Sequence, residues 1–261
     1  MHVAIRAVAA ELVDAVAGQG RCDFTGHFAE VLPIRIFMAL VNLPMDDAGH
    51  IRKWAACMTR PNPPMPFEEA KQAFYDYLEP VIIARRAAPG EDLISQMVTA
   101  DMGGRPLSHD ESLALCTQVL IAGVDTVVNF LGFVMLFLAR NPDARTALSG
   151  MDGNGVMAAT HELFRRYGLV IIARTVRHDM EFHGVNLKAG ELVCIPTQVH
   201  GLDERINADP MTVDFARRAG RHSAFGSGPH MCPGQELARA EVAITIEEWL
   251  KRIPDFRLAA D

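Results

Sequence analysis

Phe225-Gly226-Ser227-Gly228-Pro229-His230-Met231-Cys232-Pro233-Gly234 sets one thiol among three glycines and two prolines, just before a helical stretch. Glycines allow backbone turns that other residues resist, and they let N–H groups approach a single sulfur. The N-terminus of the helix that follows adds the positive end of its dipole. Both effects favour thiolate over thiol. A thiolate covered by backbone suits a metal ligand better than an attacking nucleophile. The plainer alternative is a buried cysteine in a glycine-rich turn, but the spacing of the flanking residues argues for the ligand.

A second group is Ala122-Gly123-Val124-Asp125-Thr126, inside a long apolar run. Glycine within a helix costs about 1 kcal/mol relative to alanine, so something should justify Gly123. An acid beside an alcohol in apolar surroundings also needs partners. Two readings stand side by side here. One is a packing glycine with Thr126 bonded back to its own helix; the other is a pair placed for proton transfer. A third group, Glu162-Leu163-Phe164-Arg165, puts Glu and Arg three apart on one helix face, where they can pair. Alone, that spacing is common and says little.

The elements that must position these groups read mostly as helices. Apolar spacing predicts helices over residues 3–16, over 28–43 with an interruption at Pro33, and from Asp46 or Asp47 to near Arg60. Four prolines make Pro61–Pro66 a loop. Further helices are expected over 67–88 and 91–101. The central helix opens with a capping box, Ser108 and Glu111, and should run to about Arg140. That is roughly 50 Å of helix at 1.5 Å per residue. Short helices follow at Pro142 and over 155–168. Then the period changes. Residues 169–176 read as a strand, and 181–196 as a hairpin turning at Lys188-Ala189-Gly190. Irregular sequence fills 201–228, and a last helix spans about 234–252. The fold class is mainly α with a small β element.

Composition narrows the function. The 261 residues carry 25 basic and 32 acidic side chains, a net charge of −7, so general attraction to nucleic acid is not expected. Five cysteines without a CxxC pair indicate neither a zinc ribbon nor a disulfide framework. No apolar leader is evident at the start, which makes cytoplasm the default. Residues 119–139 could pass for a membrane span, but Asp125, Thr126 and Asn129 lie mid-segment, and mean hydropathy is only +0.10. A buried central helix is expected, not a membrane contact.

The spacing F-G-x-G-x-H-x-C-x-G resembles the haem-binding loop of the cytochrome P-450 family. The run from Ala122 to Thr126 is similar to that family's distal-helix pattern, and Glu162–Arg165 to its ExxR pair, 70 residues before Cys232. The runs Pro33–Met38, Asp125–Leu131, Glu181–Val185, Gly201–Arg205 and Arg252–Phe256 look like the bacterial camphor 5-monooxygenase subfamily. The resemblance implies the P-450 fold and haem b (iron protoporphyrin IX), with Cys232 as axial iron ligand. It places His230 and Arg174 on haem propionates and Phe225 beside the proximal ligand, within the loop shaped by Gly226, Gly228 and Gly234. Ala122 and Gly123 would be cofactor-binding, with Gly123 leaving room for dioxygen, and Asp125 and Thr126 would deliver protons. Glu162 and Arg165 would be buried and structural. Thr212 stands where members often add an arginine to that pair, so no third partner is expected there.

By the same resemblance, Gln118, Ile121, Val170 and Ile172 fall among pocket-lining positions. The implied function is hydroxylation of a small apolar, terpenoid-like substrate with O2. Two electrons would come from a [2Fe–2S] ferredoxin with its NADH-dependent reductase. The chain reads as a single domain over 1–261 that lacks the family's N-terminal part and C-terminal hairpin. The rival reading is therefore a truncated, catalytically inactive haem-binding or non-haem remnant.

Overall fold

The computed structural model describes residues 1–217 and 220–260 and, at Val124, the backbone alone. The chain divides into two compact units: Met1–Gly132 with Lys251–Ile253 and residues 259–260, and Phe133–Leu250 with Pro254–Leu258.

The first unit is helical. α1 (His2–Ala17) buries Ile5, Ala9, Val13 and Val16, one face at helical spacing. A single π-helical turn, Thr25–Ala29, leads to α2 (Leu32–Val41). Pro33 sits in the first turn of α2, where its missing N–H costs nothing, so it starts this helix instead of interrupting an earlier one. Asn42 closes α2 in the left-handed conformation. A 3-10 turn at Met45–Asp47 precedes α3 (Ala48–Thr59), and the proline-rich stretch separates that from α4 (Phe67–Ala87). α4 tolerates Pro80 in its interior. α5 (Leu93–Val98) is shorter than the sequence predicted, capped by Asp92, whose carboxylate accepts the Ser95 N–H at 3.0 Å. Phe37, Met38, Ile51, Phe74, Leu78, Ile82 and Leu120 form the core of this unit.

α6 (His109–Arg140) is the long helix. Its capping box is present: Ser108 N–H donates to Glu111 Oε2 at 2.8 Å, and Glu111 N–H to Ser108 Oγ at 3.1 Å. Among the described residues α6 is the one helix long and apolar enough to cross a membrane, by length and composition. The expected buried helix is buried on one side only. Leu120, Leu131, Val134 and Leu138 are buried, while Gln118, Ala122, Thr126 and Asn129 are exposed. Those four recur every three or four residues, so small and polar side chains share one open face of an otherwise apolar helix.

In the second unit, α7 (Pro142–Ser149) and α8 (Gly153–Arg166) precede the strands. β1 (Ile171–Thr175) pairs antiparallel with β4 (Leu192–Pro196), and β2 (Met180–Phe182) with β3 (Val185–Leu187). The predicted hairpin is thus displaced. Its turn is His183-Gly184, both at positive φ (48° and 79°), as a two-residue hairpin turn demands. Lys188-Ala189-Gly190 instead carries the chain from one sheet to the other. α9 (Thr197–Gly201) lies at the edge of the stretch expected to be irregular. α10 (Gln235–Arg252) follows the cysteine loop.

Candidate functional site

The cysteine loop closes on itself. Cys232 N–H donates to the Phe225 carbonyl at 2.8 Å, Gly226 N–H to Ser223 O at 2.8 Å, and Met231 N–H to Gly228 O at 3.0 Å. Gly226 lies at φ +72°, and a Cβ there would stand 3.3 Å from the His230 carbonyl. Gly228 lies at φ +64°. Both positions need glycine for that reason. A Cβ on Gly234 would sit 3.9 Å from Cys232 Sγ. The Phe225 ring lies 4.6 Å from that of Phe164 on α8, and the Arg239 guanidinium of α10 lies 5.4 Å from its centroid. Two helices therefore anchor the aromatic that opens the loop.

Cys232 is half-buried, at the turn into α10. Among the described residues no hydrogen bond ends on its sulfur: its own N–H goes to Phe225, and its carbonyl takes the Gln235 N–H at 3.4 Å. The expected convergence of N–H groups on the sulfur is not what the loop's hydrogen bonds show. Among the described residues no cluster of three or more His, Cys, Asp or Glu could hold a bare metal ion. One half-buried cysteine in a pinned loop is nonetheless the donor set that suits a macrocyclic cofactor, which brings its other ligands with it. The residues present fit haem in that sense.

On α6, Thr126 Oγ1 donates to the Ala122 carbonyl at 3.0 Å, and Asn129 Nδ2 to the Asp125 carbonyl at 2.8 Å. Asp125 Oδ1 is paired with the Arg60 guanidinium at 2.5 Å. A Cβ on Gly123 would come within 2.5 Å of the Phe37 ring on α2. So both readings of this group leave traces. Gly123 is a packing glycine and Thr126 bonds back to its own helix, yet Thr126 is exposed and Asp125 has a charged partner. Arg60 was invisible to local spacing, since it lies 65 residues from Asp125.

The Glu162–Arg165 pair is buried, with Arg165 at 0% and Glu162 at 5% exposure. Arg165 Nε and one terminal N–H hold the carboxylate at 2.7 and 2.8 Å; its remaining N–H groups reach the carbonyls of Gly201, Pro210 and Thr212. As expected, Thr212 brings no side chain to the pair, but a third partner comes from another position. Arg217 Nε donates to Glu162 Oε1 at 3.1 Å, and its terminal nitrogens bond the carbonyls of Ala208, Asp209 and Thr212. Thr212 contributes only its backbone. Burial would raise the Glu162 pKa, but hydrogen bonds from Arg165, the Asp214 N–H and Arg217 outweigh it and hold the carboxyl below its ordinary value. This network fixes the segment leading into the cysteine loop.

Other expected positions are placed as follows. Arg174 is exposed on β1 and donates to the Ala173 carbonyl; His230 is exposed in a 3-10 turn, Gly228–His230. Gln118 stands on the open face of α6, whereas Ile121 packs against the core of the first unit. Val170 is exposed just before β1, and Ile172 is half-buried within it.

The sequence model of the Cytochrome P450 family matches residues 60–149 and 156–256. The chain belongs to the cytochrome P450 family. Members of this family bind haem b and act as monooxygenases. Probable cytochrome P450 127A1 of Sinorhizobium fredii is 33% identical over 97% of this P450 chain and 61% of its own length. Steroid C26-monooxygenase of Mycobacterium tuberculosis is 32% identical over 100% of the chain and 72% of its own length. Among solved structures, CYP101J2 matches at 43% identity and TM-score 0.90, over 98% of this chain and 64% of that one. CYP101C1 matches at 39% and 0.87, over 100% and 66%. The P450 fold and its mainly helical class thus stand, and the chain spans a little under two thirds of the length of several relatives it matches.

Proposed function

We propose that this P450 is a haem-thiolate monooxygenase that hydroxylates a small apolar, terpenoid-like molecule. The observation that carries the proposal is the loop closed by the Cys232 N–H to Phe225 bond, with one half-buried thiol at the head of α10. When bound there, haem supplies the oxygen activation that no protein side chain can. Cys232 holds the cofactor through its sulfur; His230 and Arg174, both exposed and cationic or protonatable, are the side chains for its carboxylates. Thr126 keeps its own proton on the Ala122 carbonyl and so offers Oγ1 lone pairs as an acceptor on the open face of α6. Asp125 Oδ1 is held by Arg60, whose side chain is 55% exposed, so freeing this carboxylate toward the open face requires Arg60 to turn away. The similarity to CYP101J2 and CYP101C1 supports a terpenoid-like substrate, with Gln118, Ile121, Val170 and Ile172 as contacts. It also supports a cytoplasmic setting and electrons from a [2Fe–2S] ferredoxin with an NADH-dependent reductase.

The carbon monoxide difference spectrum tests this. Reduced, haem-loaded protein should absorb at about 450 nm, as thiolate ligation requires; a band at about 420 nm, or no haem retained, would overturn the monooxygenase reading.

Thr126→Ala should divert reducing equivalents into peroxide, so that product per NADH falls severalfold while NADH consumption continues. Unchanged coupling would remove Thr126 from proton delivery.

A further inference from the structure

A cavity of about 380 Å³ in the second unit is lined by His161, His200, Arg221, His222, Arg239 and the Gly226 backbone, among others. No acidic side chain lines it among the described residues. Arg221 has no side-chain partner there among the described residues, although its main chain is held from both sides by Asn207: Arg221 N–H donates to Asn207 Oδ1 at 3.0 Å, and Asn207 Nδ2 to the Arg221 carbonyl at 2.9 Å. The guanidinium is thus presented from a fixed base. Arg239 Nε is buried and unpartnered among the described residues. The one ion pair of Arg239 among them is with Glu236, which is 71% exposed. His200 Nδ1 meets Ser223 Oγ, and His222 Nδ1 accepts the Ala224 N–H at 3.2 Å, which leaves the His222 proton on Nε2 as a donor. Burial, with His161, Arg239, His200 and Arg165 around it, pushes His222 down to about 4. A cavity whose charged side chains are both arginines, with three histidines beside them and Phe225, Met231 and Gln235 completing the wall, favours an anion that meets these donors with several acceptor oxygens.

We infer that this cavity binds a small tetrahedral oxyanion of the phosphate class, free or as a monoester, a site separate from the monooxygenase reading. Arg221 and Arg239 provide charge and forked N–H donors, and the histidines provide hydrogen bonds that need no charge. Because Phe225, Gly226 and Met231 belong to both the cavity wall and the cysteine loop, an occupied site braces that loop from the side.

Isothermal titration of the protein with inorganic phosphate, and separately with glycerol 3-phosphate, in phosphate-free chloride buffer tests the site. Saturable binding of either anion is expected. Arg221→Gln, an exposed change that leaves the fold alone, should weaken it by about tenfold or more. Arg239→Lys, which keeps the charge and removes Nε, should weaken it as well. Lys53→Gln, an exposed cation in the other unit, should have no effect. Absence of saturable binding for both anions, or equal weakening by Lys53→Gln, would overturn the site. Neither result depends on haem content, so failure here is distinguishable from failure of the monooxygenase reading.

Discussion

Cys232→Ala eliminates the carbon monoxide band expected at about 450 nm, because no other side chain in the loop can offer a thiolate. The chain carries four other cysteines, Cys22, Cys57, Cys116 and Cys194. Cys57 and Cys116 are buried, and Cys194 is exposed on β4. Burial also pushes the Cys116 thiol up to about 11, which disfavours its thiolate further. Cys194→Ala is the matched control: it removes an exposed thiol and should leave the spectrum intact. A band that survives Cys232→Ala, or vanishes in Cys194→Ala, would place the ligand elsewhere. The loop geometry should outlast the Cys232 substitution, since its closing bonds run between backbone atoms at Phe225, Ser223 and Gly228.

Arg165→Ala should cost about 3–5 kcal/mol of stability, since it leaves the Glu162 carboxylate buried beside five lost hydrogen bonds. Denaturant unfolding of the whole chain measures it. Arg166→Ala, at the next position, is the comparison. Arg166 Nε bonds the Met211 carbonyl at an exposed site, and its guanidinium lies 5.0 Å from the Tyr167 ring centroid, so its loss should stay within about 1 kcal/mol. Similar midpoints for the two variants would refute the central role of the buried pair. The pH dependence has a definite sign. The Glu162 pKa is depressed on folding from its ordinary 4.5, so its contribution is complete above that pH. It fades as pH falls from 4.5 through the lower folded value. Glu162→Gln should flatten this part of the acid-unfolding profile; an unchanged profile would mean that other carboxylates account for it.

Local features were legible because their causes are local. The Ser108–Glu111 box and the cysteine loop are written in runs of a few residues, and both are found where the sequence puts them. Pro33 and the β turn were misread for a subtler reason. A proline fits a helix start as well as a break, and two glycine-containing turns, at His183-Gly184 and Lys188-Ala189-Gly190, lie five residues apart. Only strand partners choose between such turns, and β4 pairs with β1, from the other side of the β2–β3 hairpin.

The sequence by itself determined which residues are candidates for chemistry: the lone thiol in its glycine loop, the acid and alcohol on α6, and the Glu162–Arg165 pair. These depend on side-chain type and short spacing, which are one-dimensional properties. Only the tertiary structure decided their partners. Arg217 joins Glu162 from 55 residues away, Arg60 reaches Asp125 across 65, and Phe37 from α2 fills the space that makes Gly123 necessary. Partnerships of that range arise when helices pack, and no periodicity along the chain encodes which cation or ring will arrive.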